Sequence, residues 1–382
     1  MMKQRFALSL ISAIIMCTFA PARSGGTSEL DLSMPMATLE WLAFVRAGHT
    51  DADIREHFMR HVAPTPGCRV IIHHWARFRK DWNAETFLDF ILQALDRIPA
   101  PGPEKAADGT LTSFGRRKAL WTDALRHPER LERLIQQLQN RPQMAAARAR
   151  AAAALPPDTP LDNRFYLVTF GASTAFSVGS ENGLDLLQLP LNADGRIDLG
   201  EVQRILAHEL HHTGFFYWLN RNLPDLKIAP VMLAGILAAE GMASHFIDRV
   251  PDHLAEFRQR KNSIYEQVAA DWQRHTANLP ALYERSEKDM RDMLKGSLKP
   301  VDAQKWWMAG AKGPAYILGA HMIACIEKEL GRRAVFVVVR DFRALLTTYN
   351  RAAHRAKLRG EHPFVFSADL AASLANHTGT GS

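Results

Sequence analysis

The chain has 382 residues, 47% of them hydrophobic, and a formal net charge of +7 at neutral pH. That length and apolar fraction supply a large buried core and exclude a disordered or collagen-like chain. The basic residues are scattered among acids rather than gathered in a stripe, so nucleic acid is not an expected partner.

At the N-terminus Lys3 and Arg5 precede an apolar run from Phe6 to Phe19, followed by Ala20-Pro21-Ala22. This is the pattern of a secretory signal peptide cleaved near Ala22, which places the mature protein in the periplasm or outside the cell. The run is shorter than the roughly 20 residues that span a bilayer, and no later run reaches that length, so no membrane span is expected after its removal. Met16 stands before Cys17 where a lipid-modification site wants a small residue, so no lipid anchor is expected. Cleavage leaves Cys68 and Cys325, which allow at most one disulfide. The expected organisation is a signal peptide over 1–22, a helical region over 23–160, a second domain over 161–350 and a C-terminal tail over 351–382.

From Leu39 to Arg97, Trp41, Leu42 and Val45 and then Phe87, Leu88, Phe90, Ile91 and Leu95 recur at helical spacing. His73 and His74 fall in this region; adjacent side chains on a helix diverge by about 100°, so the pair is assigned no metal. Pro99, Pro101, Gly102 and Pro103 interrupt the pattern, and further helix runs from Arg116 to Leu155 before Pro156 and Pro157. Arg164–Phe170, Ala175–Val178 and Leu184–Leu191 are β-rich runs separated by Gly171, Gly179 and Gly183, which predicts a small antiparallel meander. Asp198 with Glu201 resembles a capping box opening a helix through Asn220. Further helices are predicted over Pro230–Asp248, over Leu254–Thr276 and from Pro314 to a stop at Gly331. The last twenty or so residues are polar and predict a loose tail. The predicted fold class is α+β, predominantly helical.

The first of the predicted C-terminal helices carries His208-Glu209-Leu210-His211-His212, an H-E-x-x-H motif. Imidazoles four residues apart lie about 40° from one another around a helix, so His208 and His212 can ligate one Zn2+ ion. Glu209 stands beside them as a general base, and His211 falls on the other flank without a ligand role. A catalytic zinc wants three protein ligands and an open position, so a third side chain must come from elsewhere. Glu240 is the candidate: it is the only ionisable residue between Val231 and Met242, and a carboxylate buried there without an intrahelical partner would be costly unless a cation used its charge; the alternative is a Glu bridged to a distant Arg or left at a crevice. Gly241, lacking a Cβ, is expected to let this helix approach the motif helix closely.

With these residues in place, the chain resembles the gluzincin group of zinc metallopeptidases. More narrowly, Ala207 to Phe215, the Glu240-Gly241-Met242-Ala243 element and Gly313 to Gly319 resemble bacterial zinc-dependent peptidases of otherwise unknown function. The resemblance covers roughly Phe165 to Tyr349. It implies a zincin-like core with a small antiparallel sheet before the metal-binding helix, His208, His212 and Glu240 as metal ligands, and Glu209 as general base. It also implies a peptide or protein substrate that pairs with the strand Leu184–Leu191. Related enzymes often use a Tyr or His to stabilise the oxyanion, which makes Tyr316 the first candidate; the alternative is an aromatic packed in the core. His245 and His321 are further candidates for that task, each expected rather to be structural. The chain departs from thermolysin-like members at Ser244, where they have an Asp that orients a histidine, leaving Asp248 or Asn220 for that task. No Gly-x-Met-Glu-Asn element is present, which favours an endopeptidase over an aminopeptidase. Two other readings stand beside this one: a non-catalytic zinc-binding or interaction protein, which has no need of Glu209, and a di-iron bundle, which would need His rather than Ala243 after Glu240.

Overall fold

The structure, a computed structural model, describes residues 30–378 apart from 78, 106–110, 140–142, 162, 179–180, 193–194, 225, 227 and 260–263. The expected signal peptide lies outside the described residues. Two compact units emerge: the first holds the described chain up to Ala147 together with the stretch ending at Glu209, and the second holds Arg148–Leu161 and Leu210 onward.

In the first unit β1 (Leu30–Asp31) leads into α1 (Ser33–Arg46), α2 (Asp51–His61), α3 (Pro66–Ala76), α4 (Ala84–Ala94), α5 (Ser113–Arg126) and α6 (Pro128–Gln139), with α7 (Gln143–Ala152) following. Four of these starts are written locally. Thr50, Thr65, Asn83 and Thr112 each accept a hydrogen bond from the backbone N–H three residues on, which satisfies a donor that the first helical turn leaves unpaired. Their apolar faces bury Trp41, Phe58, Phe87 and Trp121.

The sheet contains β2 (Arg164–Val168), β3 (Ala175–Val178) and β4 (Glu181–Asp185) in the order β1-β2-β4-β3. It is mixed: β1 and β4 both run parallel to β2, and only β3 and β4 are antiparallel. This corrects the expected antiparallel meander. The buried Asp185 carboxylate accepts from the backbone N–H groups of Phe170 at 3.1 Å and Gly171 at 2.6 Å, which fastens the end of β2 beside the end of β4 and leaves β3 as the outer hairpin partner. Burial pushes the Asp185 pKa up to about 6 against the pull of these donors. The strand expected over Leu184–Leu191 stops at Asp185 and turns into a 3-10 helix at Leu186–Gln188. Because β4 is paired on both sides, it has no edge to offer a substrate; the sheet's edges are β1 and β3.

Helix α8 (Leu199–Asn222) continues unbroken from one stretch into the other. Asp198 Oδ1 accepts from the Glu201 N–H at 3.2 Å, while the Glu201 side chain turns to Arg204 instead of closing the capping box. In the second unit α9 (Met232–Ala243) follows a 3-10 turn at Ala229–Val231 and continues into a π turn at Ser244–Asp248. The whole stretch Ala229–Asp248 is long and apolar enough to cross a membrane by length and composition, against the expectation from sequence, and 83% of its most apolar window is buried as the core of this unit. The helix expected over Leu254–Thr276 is seen as α10 (Val250–Gln259) and α11 (Ile264–Ala277). Next come α12 (Leu279–Leu294), α13 (Pro300–Trp307), α14 (Pro314–Leu330, ending at Gly331 as predicted), α15 (Arg332–Arg340), α16 (Leu345–Leu358) and α17 (Ala368–Ala375). Of the residues expected to form a loose tail, those described, up to 378, pack through α17 instead. Phe366, Leu370 and Leu374 are buried, Arg291 pairs with Asp369 at 2.7 Å, and the Asn350 amide both donates to and accepts from the Phe366 backbone.

Gly241 does permit a close approach, but the neighbour is α14 rather than α8. A Cβ built on Gly241 would sit 2.3 Å from the Gly319 carbonyl carbon, and one on Gly319 would sit 2.2 Å from the Leu237 carbonyl oxygen. The obstacle is backbone, which cannot rotate aside. Gly319→Ala is therefore expected to cost about 1–3 kcal/mol or more of unfolding free energy in urea denaturation; an unchanged midpoint would show that the helices are not held this closely.

Candidate metal centre

The residues around the motif make α8 apolar nearly all round, with Leu206, Leu210, Phe215 and Leu219 buried, so its polar side chains are drawn into the interior with it. His208, Glu209 and His212 are 8%, 2% and 1% exposed, and Glu240 on α9 is 0% exposed. One ligand atom from each of His208, His212 and Glu240 lies within 4.8 Å of the other two. His212 Nε2 and Glu240 Oε2 are 3.4 Å apart.

This donor set fits zinc on two counts. Two imidazoles and one carboxylate are borderline ligands of the kind catalytic zinc takes, and three of them leave a fourth position open. Tetrahedral zinc with bonds of about 2.0–2.2 Å sets neighbouring ligand atoms about 3.4 Å apart, which is the His212–Glu240 separation. The predicted ligands are thus brought together, although Glu240 is distant from the motif in sequence.

Glu209 is held by a residue that sequence reasoning missed. Ser177 Oγ, on β3, donates to Glu209 Oε2 at 2.7 Å and lies 2.6 Å from Asn182 Oδ1 on β4. The strand itself is anchored: Arg77 Nη2 donates to the Ser177 carbonyl oxygen at 3.1 Å and to His74 Nδ1 at 2.9 Å. Burial, with the Arg77 charge adding to it, pushes the His74 pKa down to about 3, so the ring is neutral and its Nδ1 can accept. His74 also packs its ring 4.4 Å from Phe176. His74 thus helps to fix the strand.

The remaining candidates fall into place around the second unit's core. His211 is fully buried against Phe215 and lies outside the three-ligand cluster. Tyr316 stands in the first turn of α14, 3% exposed, with the Lys312 ammonium 4.2 Å from its ring centroid. Lys312 pairs at 2.5 Å with the buried carboxylate of Asp248. Ser244 is buried and its hydroxyl has no hydrogen-bond partner among the described residues, so it does not replace the missing Asp. His245 binds Glu327 at 2.7 Å and His321 binds the Tyr283 hydroxyl at 2.8 Å.

No curated protein and no solved structure matches the chain. A family model described as "Putative zinc dependent peptidase (DUF5700)" matches residues 77–358, a span that begins at the arginine anchoring β3 and includes the motif, Glu240 and all of α14. Since that match covers well over half of its length, the chain belongs to this family.

Proposed function

We propose that the protein is a zinc endopeptidase of gluzincin type, exported to the periplasm or beyond, in which His208, His212 and Glu240 hold the metal and Glu209 is the general base. The buried His-His-Glu cluster with its 3.4 Å ligand separation carries this reading. Zinc held there would supply an acidified water and a positive charge to polarise the scissile carbonyl. Glu209 would serve as the base that accepts a proton and later returns one to the leaving amine. Tyr316 remains the candidate donor to the oxyanion, supported by its place in the first turn of the helix packed on α9. The substrate strand pairs with β3 rather than β4: β3 is the antiparallel edge strand, four residues long, and carries the serine that contacts Glu209.

Purified mature protein is expected to contain about one zinc per chain and to cleave an unfolded protein such as reduced casein; a chelator should abolish cleavage and added zinc should restore it. Zinc binding without cleavage of any peptide pool that a chelator-sensitive control peptidase digests would favour a non-catalytic zinc protein instead.

A further inference from the structure

Three polar groups meet around the single hydroxyl proton of Ser177. Its oxygen lies 2.7 Å from Glu209 Oε2 and 2.6 Å from Asn182 Oδ1, both of them acceptors, yet a hydroxyl has one proton to give. Asn182 is fully buried, and its Nδ2 has no hydrogen-bond partner among the described residues. A half-turn of the amide about its last torsion leaves its shape unchanged and exchanges the two ends. Nδ2 then donates to the Ser177 oxygen, and the hydroxyl proton is committed to Glu209.

We propose that Asn182 and Ser177 form a directed hydrogen-bond relay, Asn182 Nδ2–H to Ser177 Oγ and Ser177 Oγ–H to Glu209 Oε2, that fixes the rotation of the base. This rests on the reading of Glu209 as general base. Ser177 and Asn182 are positioning residues: they exchange no proton with substrate. Their effect is to hold one carboxylate oxygen so that the carboxylate plane does not turn about its own axis between turnovers. The relay is stiff because its members sit on paired strands. Ser177 faces Asn182 directly in the β3–β4 ladder, and Arg77 clamps the Ser177 carbonyl from α3's end.

The test uses the full mature chain in three variants, Ser177→Ala, Ser177→Thr and Asn182→Asp, read in two ways. The first is isotope-edited infrared spectroscopy with 13C-labelled glutamate, in which the Glu209 carboxylate band is isolated by subtracting the spectrum of Glu209→Gln. Ser177→Ala should shift that band, Ser177→Thr should restore it, and Asn182→Asp, whose side chain only accepts, should draw the hydroxyl proton away and shift it as Ser177→Ala does. The second is hydrolysis of a fluorogenic peptide library by the zinc-loaded protein. Ser177→Ala and Asn182→Asp should lower kcat about ten- to a hundredfold with KM within about twofold and zinc content unchanged, and Ser177→Thr should recover most of it. An unmoved band in Ser177→Ala overturns the contact with Glu209, and an unmoved band in Asn182→Asp overturns its direction. Should the wild type hydrolyse nothing, the peptidase reading fails, while the infrared measurement still decides the relay.

Discussion

Glu209→Gln is expected to keep its zinc and lose peptide hydrolysis by about 10²- to 10⁴-fold, the usual range for removal of a general base. The carboxamide has the shape of the carboxylate, and its carbonyl oxygen can still accept from the Ser177 hydroxyl, so the 2.7 Å contact survives the change. What it lacks is basicity: a neutral amide cannot take the proton of an acidified water. Metal content by mass spectrometry and kcat on a peptide library separate the two effects. Hydrolysis within tenfold of wild type would place the base elsewhere.

Glu240→Ala is expected to lower zinc affinity by more than about a hundredfold, because loss of an outer-sphere partner alone costs 10- to 100-fold and this change removes a ligand. His212→Ala should behave alike, since its Nε2 and the Glu240 carboxylate bracket the same position at 3.4 Å. The consequence is visible in stability as well as in binding. Zinc that binds the folded state raises the thermal midpoint in proportion to the logarithm of its concentration over Kd, so the wild type should show a zinc-dependent rise that both variants lose. Full metal retention by Glu240→Ala would remove it from the ligand set.

The parts of the site that could be read from sequence are those whose information is local or compositional. His208 and His212 are bound to share a face by helix geometry, and Glu240 announces itself as one ionisable group in an apolar run. Ser177 gives no such sign: it is a common residue in a short strand, and its importance comes from a contact spanning 32 positions of chain. The sheet order escaped for the same reason, since β1 is two residues long and β2 pairs with β4 across the hairpin that separates them. Gly241 told that something comes close, but an absent side chain carries no label for its neighbour. The expectation of a loose C-terminus follows the polar ends of that stretch rather than its middle; from Phe364 to Ala375 most residues are apolar, and α17 gathers Leu370 and Leu374 onto one face.

The glycine contact between α9 and α14 has a mechanical meaning. Most packed helices touch through side chains, whose rotamers absorb small displacements as a cushion would. Gly241 and Gly319 leave no cushion, and Gly241 is the residue immediately after Glu240. A push that slides α14 along its axis therefore meets the backbone of α9 beside that carboxylate, with no side chain between them to yield.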